Sequence, residues 1–125
     1  MIWTAVAIGG AIGSVARHAV NVAVSAWTSR PNPYATFAVN MIGCFVIGLL
    51  AGLTAAHRLE LTLTTRTFVF VGILGGFTTF SSFMLDNLTL AASGAVAVGV
   101  ANAAGQVIVG YLLAYVGYRL GVPSV

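Results

Sequence analysis

Apolar residues fill this chain in runs long enough to cross a bilayer, and few charges interrupt them. A hydrocarbon core about 30 Å thick takes roughly 20 residues of helix. Four runs qualify, at about 2–27, 34–55, 67–92 and 95–118. The connectors between them read as turns. Ser29-Arg30-Pro31-Asn32-Pro33 carries two prolines, which end helices. His57-Arg58-Leu59-Glu60 through Arg66 holds most of the loop charge, and Ser93-Gly94 is the shortest break. Charged residues make up 6% of the chain, against about a quarter in a typical soluble domain. A water-exposed surface built from such a sequence would carry large apolar patches. Backbone groups in lipid must be paired within the span, which an α-helix does by itself. The expected fold is therefore an all-α integral membrane protein, a single four-helix domain over 1–125.

Several function classes drop out. The five basic residues are all arginines and are scattered, so nothing forms the basic stripe that nucleic acid requires. Cys44 is the sole cysteine, which excludes an intrachain disulfide and a cysteine metal site. It reads as a small buried residue at a helix contact. His18, His57 and the single embedded acid Asp86 lack the spaced partners that a hydrolase or metalloenzyme uses, so an enzyme is not expected. The N-terminus shows no basic segment followed by a small-residue cleavage site, and the first apolar run is expected to be retained. Trp3, Trp27, Tyr34, Tyr115 and Tyr118 fall near helix ends, where aromatic belts form, or simply pack against lipid. With four spans, Arg58, Arg66 and Arg119 share one side and Arg30 takes the other, a bias that fixes orientation weakly. Gly9-xxx-Gly13, Gly48-xxx-Gly52 and Gly72-xxx-Gly76 have the spacing that lets helix backbones approach closely. Four helices enclose little space for a selective path, so an oligomer is expected.

Polar groups inside a span cost free energy and mark functional candidates. Arg17 in the first span either draws an anion into a vestibule or snorkels to the interface. Asn40 in the second offers two neutral donors, to an anion or to another helix. Gly72-Ile73-Leu74-Gly75-Gly76-Phe77-Thr78-Thr79-Phe80-Ser81-Ser82-Phe83 in the third places two adjacent glycines and four hydroxyl residues at mid-helix, where Ser and Thr compete for backbone bonds. A break is expected there, and a break at membrane depth is tolerated only inside protein or along a wet cavity. Freed carbonyls there can bind a cation; a packing kink is the alternative. Asn102 and Gln106 lie one turn apart on the fourth span, with Gly110 continuing the face. They form a wetted track or an interhelical clamp.

These motifs resemble the Fluc/CrcB fluoride channels over nearly the whole chain. The resemblance rests on Gly9-Gly10-Ala11-Ile12-Gly13-Ser14-Val15-Ala16-Arg17, on Asn40-xx-Gly43, and above all on Gly75-Gly76-Phe77-Thr78-Thr79-Phe80-Ser81-Ser82-Phe83. It implies an antiparallel, dual-topology homodimer with two pores in the cell membrane, which passively exports fluoride from the cytoplasm. It implies that Phe80 and Phe83 line the anion path, with Asn40, Ser81 and Ser82 as its polar groups, Asn102 and Gln106 on a polar track, and Arg17 at the vestibule. It further implies a structural sodium ion held by the backbone carbonyls of Gly75 and Thr78. Gly110 departs from the polar residue usual on that track, and Asp86 matches a position that is often acidic. Partners would be fluoride, lipid and a second copy, with no nucleic acid. Two rivals remain. A small multidrug antiporter would need an embedded acid in the substrate path, and only Asp86, late in the third span, is available. A non-conducting structural membrane protein would leave the Thr/Ser/Phe cluster without a purpose.

Overall fold

The computed structural model describes residues 1–28 and 33–122, and its regular structure is entirely helical. Helix α1 is Ile2–Thr28 and α2 is Tyr34–Ala55. The third span begins with α3, residues 63–77, in which Leu63–Arg66 leads into a wider π-helical stretch, Thr67–Leu74, and a last turn, Gly75–Phe77. After a break comes α4, Phe80–Ala92, and then α5, Val96–Gly121. Among the described residues four helical stretches are long and apolar enough to cross a membrane: Ile2–Thr28, Tyr34–Ala55, Leu63–Ala92 and Val96–Gly121. The chain is a multi-pass membrane protein.

The boundaries differ from the expected ones where polar residues hide helix. The third span starts at Leu63 and not at residue 67, because Thr62 caps it by accepting the Thr65 N–H at 3.2 Å. Leu63–Arg66 is largely polar and so falls outside an apolar reading. The fourth span runs to Gly121, past residue 118, with Arg119 in its last turn, where a cation suits the carbonyl end. The turn expected around Ser29, Arg30, Pro31 and Asn32 lies outside the described residues. Residues 56–62 fold back on α2 and meet the end of α5, as Arg58 Nη1 donates to the Gly121 carbonyl at 3.4 Å. Arg58 and Arg119 thus sit at one end of the bundle. Gly94, at φ 85°, closes the sharp turn from α4 to α5 in a conformation that side chains resist.

Glycine dominates the packing. α1 packs on α3 and α2 packs on α5, and both seams are backbone against backbone. A Cβ on Gly9 would stand 2.6 Å from the Phe68 carbonyl oxygen, and one on Gly76 would stand 2.6 Å from that of Gly10. Gly13 and Gly48 would collide with the Ile73 and Ala114 carbonyls. The three anticipated glycine pairs all lie on these seams. Gly117 and Gly121, against Phe45 and Leu53, complete the second. Lipid supplies no hydrophobic drive between helices, so close approach and dispersion hold such seams. Large buried apolar side chains are few: Val39, Met41, Leu74, Phe77 and Phe83. Trp3, Trp27, Tyr34, Tyr115 and Tyr118 point outward.

Candidate functional site

The third span breaks at Thr78 and Thr79, both extended, with ψ values of 160° and 120°. The two glycines before them stay helical. The hydroxyl residues therefore form the break, and Thr79 shows how. Its hydroxyl oxygen accepts the Ser82 N–H at 3.2 Å and caps α4, while its proton goes to Ser82 Oγ at 3.1 Å. Ser81 Oγ lies 3.4 Å from the same oxygen. With the Thr79 proton engaged, Ser81 donates to Thr79, and the Ser82 O–H has no acceptor among the described residues.

Asn40 reaches the break from α2. Its Oδ1 accepts the Thr79 N–H at 2.9 Å, and its Nδ2 donates to the Thr79 carbonyl at 3.1 Å. In a continuous helix the Thr79 N–H would go to the Gly75 carbonyl and the Ser82 N–H to the Thr78 carbonyl. Asn40 and the Thr79 hydroxyl take those two donors, which releases the Gly75 and Thr78 carbonyls from the ladder. Two neutral oxygens at the carbonyl end of α3, where the helix dipole is negative, suit a hard cation such as sodium. Gly75 is exposed.

A row of amides leads away from the break. Asn40 Nδ2 also donates to Gln106 Oε1 at 2.8 Å, Gln106 Nε2 reaches Asn102 Oδ1 at 3.5 Å, and Asn102 Nδ2 donates to Asn87 Oδ1 at 2.8 Å. The Asn102–Gln106 face is thus polar as expected, but it ends at Gln106. Gly110 is buried against Cys44 Sγ and Met41 Cε, 3.2 and 3.3 Å from where a Cβ would stand, so it does not extend the track. Cys44 is half-buried at that α2–α5 contact.

Two cavities meet at Thr79. One, of about 380 Å³, is mostly apolar and is lined by Leu74, Gly75, Thr78, Phe80, Phe83, Asn40 and Gln106 among others. Phe80 and Phe83 meet edge to face there, with centroids 5.6 Å apart and planes at 61°. Phe83 is 4% exposed and Phe80 is 72% exposed. The other cavity, of about 480 Å³, is polar and lies between Ser14, Arg17, His18 and Asn21 of α1 and Thr79, Ser81 and Ser82. Among the described residues Arg17 has no hydrogen-bond or ion-pair partner. The N-terminus of α4, with its partial positive charge, ends beside this space. Among the described residues three buried side-chain atoms also lack partners: Asn21 Oδ1, Asp86 Oδ2 and Asn87 Nδ2.

The structure brings most expected site residues to one place. Phe80, Phe83, Asn40, Gly75, Thr78 and Gln106 share the apolar cavity, Arg17, Ser81 and Ser82 share the polar one, and Asn102 lies behind Gln106. Sequence reasoning missed Thr79, Asn87, Ser14 and Asn21. For the last two a signal exists: Ser14, Arg17, His18 and Asn21 recur at helical spacing and form one polar stripe on an apolar helix. For Thr79 and Asn87 no local pattern distinguishes them from their neighbours.

The family described as CrcB-like protein, Camphor Resistance (CrcB), matches residues 4–118. A "Fluoride-specific ion channel FluC" of Magnetococcus marinus is 43% identical over 116 residues, which is 93% of this chain and 94% of the relative. Proteins of the same name from Agrobacterium fabrum and Thermus thermophilus are 44% and 42% identical, each over 93% of this chain, covering 92% and 90% of those relatives.

Proposed function

Because the chain belongs to the CrcB-like family, we propose that it is a fluoride-selective passive ion channel which lets fluoride out of the cytoplasm and lowers its toxicity. It carries out no catalytic step. The observation that carries the reading is the polar cavity in which the unpaired Arg17 faces the N-terminus of α4 and the hydroxyls of Ser81 and Ser82.

The physical chemistry follows the path inward. Fluoride is small and holds water tightly, so a pore must replace its water with donors and still release the ion. Arg17 and the α4 dipole raise the local anion concentration in a space wide enough for a hydrated ion. Ser82, whose O–H has no acceptor among the described residues, replaces water with a neutral donor, and Ser81 borders it with its own O–H turned to Thr79. Beyond them the Phe80 and Phe83 rings present edges of partial positive charge. Asn40, Gln106 and Asn102 border that path as a fixed row of amides. No full charge lies among these groups, so nothing holds the ion too tightly to leave.

The channel works as a homodimer of two antiparallel copies, each able to insert in either orientation, with two pores. A largely exposed Phe80 beside a buried Phe83 supports this, since the apolar cavity lacks a wall that a second copy would supply. A structural sodium ion would be held by the Gly75 and Thr78 carbonyls of both copies. It would supply a fixed positive charge near the path and pin the two broken spans together.

The test is fluoride efflux from liposomes holding the purified protein, read with a fluoride electrode, with chloride in parallel. Fast fluoride efflux without chloride efflux is expected. No fluoride efflux from folded protein would sink the channel reading and favour a transporter of the drug-antiporter type or a non-conducting membrane protein.

A further inference from the structure

We propose that Arg58 and Arg119 form a binding site for the phosphodiester headgroup of an anionic phospholipid, and that the bound lipid clasps the ends of α2 and α5 together. The inference needs the membrane spans but not fluoride conduction.

Charge is placed unevenly on this bundle. The carbonyl ends of α2 and α5 and the start of α3 lie at one end, which carries Arg58, Arg66 and Arg119, all exposed. The described residues at the other end, 25–28, 33–36 and 90–98, have no charged side chain. Arg58 is brought to α5 by its backbone. His57, at φ 54°, ends α2 in the left-handed conformation. The Arg58 and His57 N–H groups turn back to the Leu53 and Thr54 carbonyls at 2.9 and 3.1 Å. Glycine is the usual residue at such a cap, so histidine holds a costlier backbone there. The turn sends the Arg58 guanidinium to the carbonyl of Gly121, the last of α5. That bond is long, at 3.4 Å, and uses one of five N–H donors. The rest have no acceptor among the described residues, and neither does any donor of Arg119. Arg119 lies two residues before Gly121 in the same turn, so two long side chains can meet over the helix end.

The local charge remains positive. The carbonyl end of α5 carries about half a negative charge, which two guanidinium groups exceed even with the exposed Glu60 counted in. Among the described residues Glu60 pairs with neither arginine. Depth also fits. Tyr115 and Tyr118 are exposed on the turn before Arg119, and Trp3 is exposed at the same end. Such rings sit at headgroup level, which sets both guanidinium groups among the phosphates. Leu112 and Val116, deeper on α5, are exposed and apolar. An anionic lipid meets both features, with a diester for the arginine forks and an acyl chain for that face. A free phosphate meets only the first, and a zwitterionic headgroup brings its own cation to compete for the diester. Between the two helix ends the seam is bare backbone at Gly52, Gly117 and Gly121, so a phosphate held from both sides adds the lock that side chains do not supply.

The test uses the full-length protein in a neutral detergent, with phosphatidylglycerol, phosphatidylcholine or inorganic phosphate added. Phosphatidylglycerol should raise the midpoint of thermal aggregation by about 4 °C or more above phosphatidylcholine at equal mole fraction. Inorganic phosphate at the same concentration should leave the midpoint unchanged. The double variant Arg58→Gln, Arg119→Gln should lose the difference between the lipids. Arg66→Gln, which removes a cation at the same end but outside the site, should keep it. Equal midpoints in the two lipids would overturn the proposal. A loss in Arg66→Gln as large as in the double variant would also overturn it, by showing diffuse attraction and no site. Phosphate acting as strongly as phosphatidylglycerol would make the site one for a free anion and remove the lipid. If the double variant does not fold, native mass spectrometry of the wild-type protein decides. From an equimolar mixture phosphatidylglycerol should stay bound at least about tenfold more than phosphatidylcholine, and equal retention would overturn the site.

Discussion

Phe80 and Phe83 differ in surroundings as much as they agree in chemistry. One is buried, the other open to whatever covers the apolar cavity, and they touch edge to face. Replacing either with isoleucine keeps apolar bulk and removes the ring edge. Phe80→Ile and Phe83→Ile should each lower fluoride efflux at least about tenfold, and unchanged efflux in both would remove them from the path. Arg17 acts at longer range. Arg17→Gln should slow efflux several-fold at low ionic strength, with the difference shrinking as salt is raised, because its attraction is screened beyond about 10 Å at 0.1 M. Equal rates at every salt concentration would mean that Arg17 serves only as an anchor. At this scale the sequence was partly legible. Arg17, Asn40, Ser81, Ser82, Phe80 and Phe83 stand out because polar or aromatic groups in a span are conspicuous. What each of them bonds to was not legible. Asn40 and Thr79 are 39 positions apart, and only the packing of α2 against the broken span brings them together.

Among the helices, the break and the seams each have a legible and a hidden part. A weak point within residues 75–82 followed from two glycines and four hydroxyls, but glycine was a misleading cue to where it lies. Gly75 and Gly76 remain helical, Gly76 with its bare backbone against α1, and the break moves to the threonines. Thr79→Ala should remove the α4 cap and lower stability by about 1 kcal/mol, read as a lower midpoint of thermal aggregation in detergent. The π-helical stretch Thr67–Leu74 was not legible at all, since its almost uniformly apolar residues carry no mark of a wider coil. The seams yield a paired test. A Cβ on Gly13 meets the Ile73 carbonyl, whereas one on Gly10 meets nothing within 4 Å. Gly13→Ala should cost at least ~1–3 kcal/mol through overpacking. Gly10→Ala should be neutral or stabilising by up to about 1 kcal/mol through helix propensity. Similar losses in both variants would mean that the α1–α3 contact is not as tight as described.

Taken whole, the molecule is two glycine-seamed helix pairs, α1 with α3 and α2 with α5, joined where Asn40 meets Thr79. The number of spans could be read from four apolar runs. The pairing of spans could not, although Gly117-xxx-Gly121 carries the same spacing as the three glycine pairs noted and would have pointed to the α2–α5 seam. One prediction belongs to this scale. If the Gly75 and Thr78 carbonyls of two copies share a sodium ion, exchange of sodium for a large organic cation should shift the protein from dimer toward monomer by light scattering and lower its thermal stability together. A dimer of unchanged mass and stability in that buffer would remove the ion from the reading.

The seams also govern how such a chain can drift over generations. Every amino acid reachable from a glycine codon by one base change carries a Cβ, and at Gly9, Gly13, Gly48, Gly52, Gly72, Gly76, Gly117 and Gly121 that carbon has nowhere to go. These positions are therefore mutational dead ends. Ile12, Val15 and Ile108 face outward and can exchange among apolar residues at little cost. A population of descendants should diverge freely on its lipid-facing skin while the lines of contact between its helices stand still.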